Sequence, residues 1–268
     1  MSANCLNCGT HLQDSYKYCP SCSQKKDTHR IHFHDLLHDA VHYVTHADKG
    51  FLYLLRSLAT STGVVAREYV EGKRKKYFPP LNFYLIVAGL FVLTMTTLEK
   101  PPTDVEKENP RISQITDPVE KQRVIRIYER KAVAMHFTAQ YSNLLAFIAI
   151  PIIALIYWLF YMKASYNYIE HLIAGMYMNG FTNLLYILLF VPITRLLAGE
   201  QSSRFLGVYF LGQLVYSGIF YYKFINRTGK AALAKAFGAT LLTLVVWVAG
   251  TSFAISQYIS TGFWGLVK

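Results

Sequence analysis

The sequence is short of charge. Asp, Glu, Lys and Arg make up 16% of its 268 residues, where a soluble domain carries about a quarter. Hydrophobic residues reach 53% and aromatics 15%, and the mean hydropathy is positive. That deficit excludes a disordered chain, a fibrous chain and an ordinary soluble enzyme. It favours an integral membrane protein with modest aqueous parts. Catalytic fingerprints are missing too: there is no serine-hydrolase elbow, no phosphate-binding loop, no dinucleotide motif and no sustained repeat. The start of the chain lacks the basic region, apolar core and small-residue cleavage site of a secretory signal. Acids are the scarcer sign, 16 against 27 Lys plus Arg. Anionic headgroups at a cytoplasmic leaflet account for that excess. Nucleic acid does not, because the first 30 residues set only Lys17, Lys25, Lys26 and Arg30 against Asp14 and Asp27.

All four cysteines fall in the first 22 residues, as Cys5-x2-Cys8-x10-Cys19-x2-Cys22. Two CxxC turns aim four soft ligands at one point, which is what tetrahedral zinc requires. Gly9 follows the first pair and allows the reversal at positive φ. The alternative is a pair of disulfides. With no secretory signal ahead of them, four thiols on zinc imply a reducing compartment. A ribbon over residues 1–26 has almost no core, so its metal supplies most of its folding energy.

Long apolar runs begin at residue 81. They cover about 81–98, 141–162, 172–197, 205–222 and 236–259. Each approaches the roughly 20 residues needed to cross a hydrocarbon core. The expected fold is therefore membrane all-α: a zinc ribbon, interfacial helices over 27–80, and a bundle of about five spans over 81–268 with an external segment 99–140. Lys and Arg collect before the first span, at Lys163, and at Lys223, Arg227, Lys230 and Lys235. The positive-inside rule then puts the N-terminus in the cytoplasm and the C-terminus outside. Tyr157, Trp158, Tyr161, Tyr166 and Tyr168 read as an interfacial aromatic belt. Gly175, Gly180, Gly207, Gly212 and Gly238 read as points of close helix approach.

Between ribbon and membrane, residues 33–46 read as an amphipathic helix. Phe33, Leu36, Leu37, Ala40, Val41 and Val44 share one face, and His34, His38, His42 and His46 share the other, beside Asp35 and Asp39. This ladder is either a second metal site, through ring nitrogens and a carboxylate, or a polar face near headgroups. Ser61 or Thr62 is expected to cap a short helix that Gly72 stops. Lys73, Arg74, Lys75 and Lys76 are expected to touch lipid headgroups, and Pro79 and Pro80 to open the first span.

These motifs come in an order that resembles a known family. The four-cysteine pattern, the His38/His42/His46 series with Asp48-Lys49-Gly50-Phe51, Arg67-Glu68-Tyr69 and Gly72-Lys73-Arg74-Lys75-x-Tyr77-x-x-Pro80 are similar to an uncharacterised family of bacterial membrane proteins. That family joins an N-terminal zinc ribbon to a domain of unknown function with an EYxxGKRxxYxxP signature. Tyr168-x-Glu170-His171 also resembles it, and Ser23 departs where the ribbon often has glycine. The resemblance implies an architecture and a bacterial inner membrane, and no activity.

Within the spans, Glu170, His171, Asn179, Asn183 and Gln213 are the polar residues to explain. They line a substrate or ion path, or they glue helices by interhelical hydrogen bonds. Three functions follow. The leading one is a membrane adaptor or assembly protein whose ribbon meets a protein partner. The second is a metalloenzyme or redox protein using the His ladder. The third is a small transporter or channel, which five spans without a repeat disfavour unless the chain forms a homo-oligomer.

Overall fold

The computed structural model describes residues 3–28, 30–33, 35, 50–98, 112–197 and 200–261. Of the His ladder, His34, Asp39, His38, His42 and His46 lie outside the described residues, and only Asp35 is inside.

The ribbon is two knuckles of the same design. Strands β1 (Ala3–Asn4) and β2 (His11–Leu12) pair antiparallel around the first, and a Tyr18–Lys25 bridge closes the second. In each knuckle the residue after the second cysteine donates to the carbonyl of the first: Gly9 to Cys5 and Ser23 to Cys19, both at 2.9 Å. Each first cysteine donates in turn to Thr10 or Gln24, at 2.8 Å. This geometry requires positive φ after each pair, +77° at Gly9 and +58° at Ser23. Ser23 therefore sits in a conformation that suits glycine.

The remaining described elements are helical. They are α1 (Gly50–Thr60), α2 (Val64–Val70), α3 (Pro80–Leu98), α4 (Pro118–Gln140), α5 (Ser142–Phe160), α6 (Tyr168–Leu185), α7 (Val191–Leu196), α8 (Glu200–Ile225) and α9 (Lys230–Thr261), plus one short 3-10 turn at Ile112–Gln114. The π-helical turn Tyr186–Phe190 joins α6 to α7. Pro192 explains it: with no N–H to give, proline interrupts the i−4 ladder, and Val191 bonds back five residues to Tyr186. The expected cap at Ser61 or Thr62 is not made. Gly63 is the cap residue of α2, with no side-chain hydrogen bond, and Thr62 turns at φ +49°. Gly72 ends the segment at φ +111°.

Among the described residues, four helices are long and apolar enough to cross a membrane: Pro80–Thr97, Tyr168–Leu196, Arg204–Ile225 and Lys230–Thr261. The remaining expected span coincides with α5, whose described apolar stretch, Phe147–Phe160, is shorter. Leu85, Leu93, Leu155, Leu211 and Val245 point outward. Helices that expose Leu and Val suit an apolar solvent. The Tyr168–Leu196 helix is the most enclosed, with half of its apolar window buried.

The chain divides into two compact units. One comprises Met1–Ala88 and Ala149–Thr243, the other Gly89–Ile148 and Leu244–Lys268. In the first, α2 packs against α6 and α8. Its core holds Leu54, Leu58, Val65, Tyr69, Phe83, Tyr177, Phe220 and Phe224. Tyr177 donates to the Phe78 carbonyl at 2.7 Å, and Arg67 to that of Lys223 at 3.0 Å. Tyr157, expected in an interfacial belt, is wholly buried and bonds to Thr240 at 2.9 Å. In the second unit, Asp117 accepts from the Val119 N–H at the start of α4, and Arg130 reaches the Ile259 and Ser260 carbonyls near the end of α9.

Candidate functional site

Four thiols converge at the tip of the ribbon. The sulfurs of Cys5, Cys8, Cys19 and Cys22 all lie within 4.8 Å of one another, and none is in a disulfide. Cys5 and Cys22 are 3.6 Å apart, Cys8 and Cys19 3.5 Å. Four sulfurs at about 2.3 Å from a tetrahedral metal stand about 3.8 Å apart, so the donor set fits a metal ion. Hydrogen bonds with Thr10 bring the Cys8 thiol down to about 6, whereas burial pushes Cys22 up to about 12.

The ribbon is seated on the chain ahead of α3, and Gln24 does the seating. Its side chain is 3% exposed. The amide nitrogen donates to the Gly72 carbonyl at 2.6 Å, and the amide oxygen accepts from the backbone of Arg74 at 3.2 Å and Lys75 at 3.4 Å. A Cβ on Gly72 would come within 2.9 Å of Leu6 in the ribbon. The Leu6 methyl it would meet can swing aside, so it is the positive φ that favours glycine here.

Beneath that turn lies a carboxylate clamp. Glu68, on α2, accepts from Lys73 Nζ at 2.8 Å, Lys76 Nζ at 2.6 Å and the Tyr77 hydroxyl at 2.6 Å. Burial pushes its carboxyl up, but the three hydrogen bonds outweigh burial and hold it at about 2. Lys73 and Lys76, expected at headgroups, are engaged by this carboxylate. Lys75 is the exposed member of the stretch. The clamp makes stability depend on pH. Its folded pKa lies below the unfolded value of about 4.3, so its contribution is complete above that pH and is lost as pH falls toward 2. Discounted for its partly exposed lysines, it is worth on the order of 2 kcal/mol at neutral pH. Glu68→Gln is expected to lower the thermal midpoint at pH 7, with the gap from wild type closing as both are acidified. A gap constant down to about pH 3 would contradict the clamp.

The second lock joins Arg30 to α6. Arg30 grips Glu170 with two hydrogen bonds, 2.9 and 2.8 Å, and also donates to the Ser165 carbonyl. Glu170 is 4% exposed and completes a capping box with Asn167. It is thus held by an arginine and two backbone exchanges. His171 is fully buried among Tyr161, Tyr221 and Phe224. Neither of its ring nitrogens has a partner among the described residues. Asn179 donates to Gly175 of its own helix at 3.0 Å, and not to a neighbouring helix. Asn183 is half-buried, and Gln213 lines an apolar groove with Thr182 and Tyr209. The intramembrane polar residues are not gathered into one constellation.

Sequence reasoning missed Gln24, Glu68 and Arg30 as the groups that join ribbon to helices. The one available signal was Glu68 beside a run of lysines, which reads equally well as a solvated face. Comparison with curated proteins and with solved structures gives no match. A family described as a protein of unknown function, DUF3667, matches residues 48–92, the stretch that carries α1, α2, the Glu68 clamp, the Gly72 seat and most of α3.

Proposed function

We propose that this protein is a membrane adaptor or assembly scaffold: a zinc ribbon fixed on the membrane face of a helical bundle, where it presents a set surface to a protein partner. The observation that carries this is the burial of Gln24 against the 72–75 backbone. A ribbon acting as a finger on a loose tether needs no such seat, whereas a scaffold needs its geometry fixed. The metal is zinc, because four thiolates in two knuckles match its softness and shape. Its role is structural, since four protein ligands leave no open position for substrate. The ribbon side lies in the cytoplasm of a bacterial cell and the C-terminus outside, with Lys75 the residue of its stretch placed for anionic headgroups. The engagement of Glu170 by Arg30 favours this reading over a proton path. The metalloenzyme reading rests on the His ladder and a second metal.

Tyr18 marks the face offered to a partner. It is 61% exposed on the ribbon and flanked by Lys17 and Lys25, and exposed aromatics of this kind anchor interfaces. A photo-crosslinking residue at position 18 of the full chain, in native membranes, is expected to give a discrete protein adduct. Arg30→Gln or Gln24→Ala should weaken that adduct by unseating the ribbon. Catalytic turnover of a lipid, or solute flux, by the purified protein alone would overturn the adaptor reading.

A further inference from the structure

The tight turn between α8 and α9, residues 226–229, carries a second feature, independent of the ribbon. Asn226 at φ +54° and Gly229 at φ +100° fold the chain back between two helices that are each long and apolar enough to cross a membrane. The turn therefore lies at a membrane boundary. Arg227 and Thr228 here line a cavity of about 220 Å³, together with Tyr161, Tyr222 and Lys235.

What distinguishes this cavity is uncompensated charge. By contrast, Arg30 is paired with Glu170, and Lys73 and Lys76 with Glu68. Among the described residues, Arg227 and Lys235 have no carboxylate partner. The sequence holds no acid at all after Glu200. Arg227 makes only a long hydrogen bond, 3.4 Å, to the Lys163 carbonyl. Lys235 rests its ammonium 4.9 Å from the centre of the Tyr161 ring. Two like charges round one cavity raise its potential and concentrate anions there. The cavity is smaller than the usual 300–1,000 Å³ of a drug-sized organic site, and it suits a compact tetrahedral anion. A guanidinium presents paired donors to such an anion, and an ammonium and a hydroxyl supply single donors.

We propose that Arg227, Thr228 and Lys235 form a binding site for a phosphate or phosphate-ester group. The position of the turn makes an anionic lipid headgroup the fitting source, and inorganic phosphate is the other. Binding would fasten the α8–α9 end of the bundle to the leaflet whose phosphates it meets.

The test uses full-length protein in a neutral maltoside detergent, titrated separately with dioctanoyl phosphatidylglycerol and inorganic phosphate and followed by native mass spectrometry. Saturable binding of one phosphatidylglycerol per chain is expected. Arg227→Gln/Lys235→Gln should weaken it by on the order of tenfold or more. Arg227→Lys/Lys235→Arg should restore most of it, which separates lost charge from lost fold. Lys230→Gln removes one charge beside the cavity and should leave binding near wild type. Equal binding of inorganic phosphate, with the same variant pattern, upholds the site and makes free phosphate its ligand. Absence of saturable binding by either probe, or an equal loss in Lys230→Gln, overturns the proposal.

Discussion

Replacing Cys19 and Cys22 by serine is expected to remove one zinc per chain and unfold the ribbon, while the helices keep their far-ultraviolet signature. The ribbon's own core is Cys5, Leu12 and Cys19, with Tyr16 and Cys22 packed against it. Three of those five residues are the candidate ligands themselves. Its strands are two residues each. Structural zinc supplies on the order of 10 kcal/mol in such ribbons, which nothing else in residues 3–28 can replace. Losing the second knuckle also releases Gln24 from Gly72, so residues 72–75 should become accessible to protease. The measurement is elemental analysis with limited proteolysis, wild type beside the cysteine variant and a His38→Ala/His42→Ala variant. Metal retained by the cysteine variant would sink the ribbon reading. A second metal, lost only with the histidines, would bring the metalloenzyme reading forward.

Gly63→Ala should be the most damaging single change in the helices. The residue has ordinary helical φ, −64°, so conformational freedom is not the reason for glycine. Space is. A Cβ at this position would overlap the Phe220 carbonyl and stand 2.8 Å from the Phe224 nitrogen. Those are backbone atoms of α8, and no rotamer change moves them aside. The methyl would push α2 off α8, breaking the Arg67 bond to Lys223 and tilting Glu68 away from its lysines. A loss of about 3 kcal/mol or more is expected, at the upper end of overpacking and a large share of a typical total stability. Thermal unfolding in detergent reads it, with Gly89→Ala alongside. A Cβ on Gly89 meets nothing within 4 Å, so that variant should match or slightly exceed wild type. Equal midpoints for the two variants would mean that α2 and α8 are not in close contact.

The glycines also show what a sequence can convey. Gly180, expected at a close approach, lies where a Cβ would come within 2.6 Å of the Phe83 ring, but Gly207, Gly212 and Gly238, expected likewise, have nothing within 4 Å of where a Cβ would stand, whereas Gly63 and Gly218, not singled out, do. Composition reveals that a side chain is missing; it does not reveal what faces the gap. The apolar runs were legible, because a helix in lipid must be apolar over most of its surface, and α3, α6, α8 and α9 fall where those runs fall. The cysteine knuckles were legible because four ligands at fixed spacing carry their geometry in the chain. The locks were not. Gln24 meets Gly72 across 48 residues, and Arg30 meets Glu170 across 140. Such partners leave no local period or spacing to detect. Tyr157 misled for the same reason, since a tyrosine near a span end fits an interface or a core equally well.

The span of the Arg30–Glu170 pair sets an order of events during synthesis. Gly72 follows Gln24 closely, so the ribbon can take its seat while most of the chain is still unmade. Arg30 must wait for 140 further residues, on the order of ten seconds at ordinary translation rates. It finds its carboxylate only after α6 has been made and placed in the membrane. The first residues thus wait on a partner made 140 residues later. A chain whose α6 is delayed or inserted in the wrong sense leaves an arginine unanswered at the membrane face, where quality-control proteases can find it.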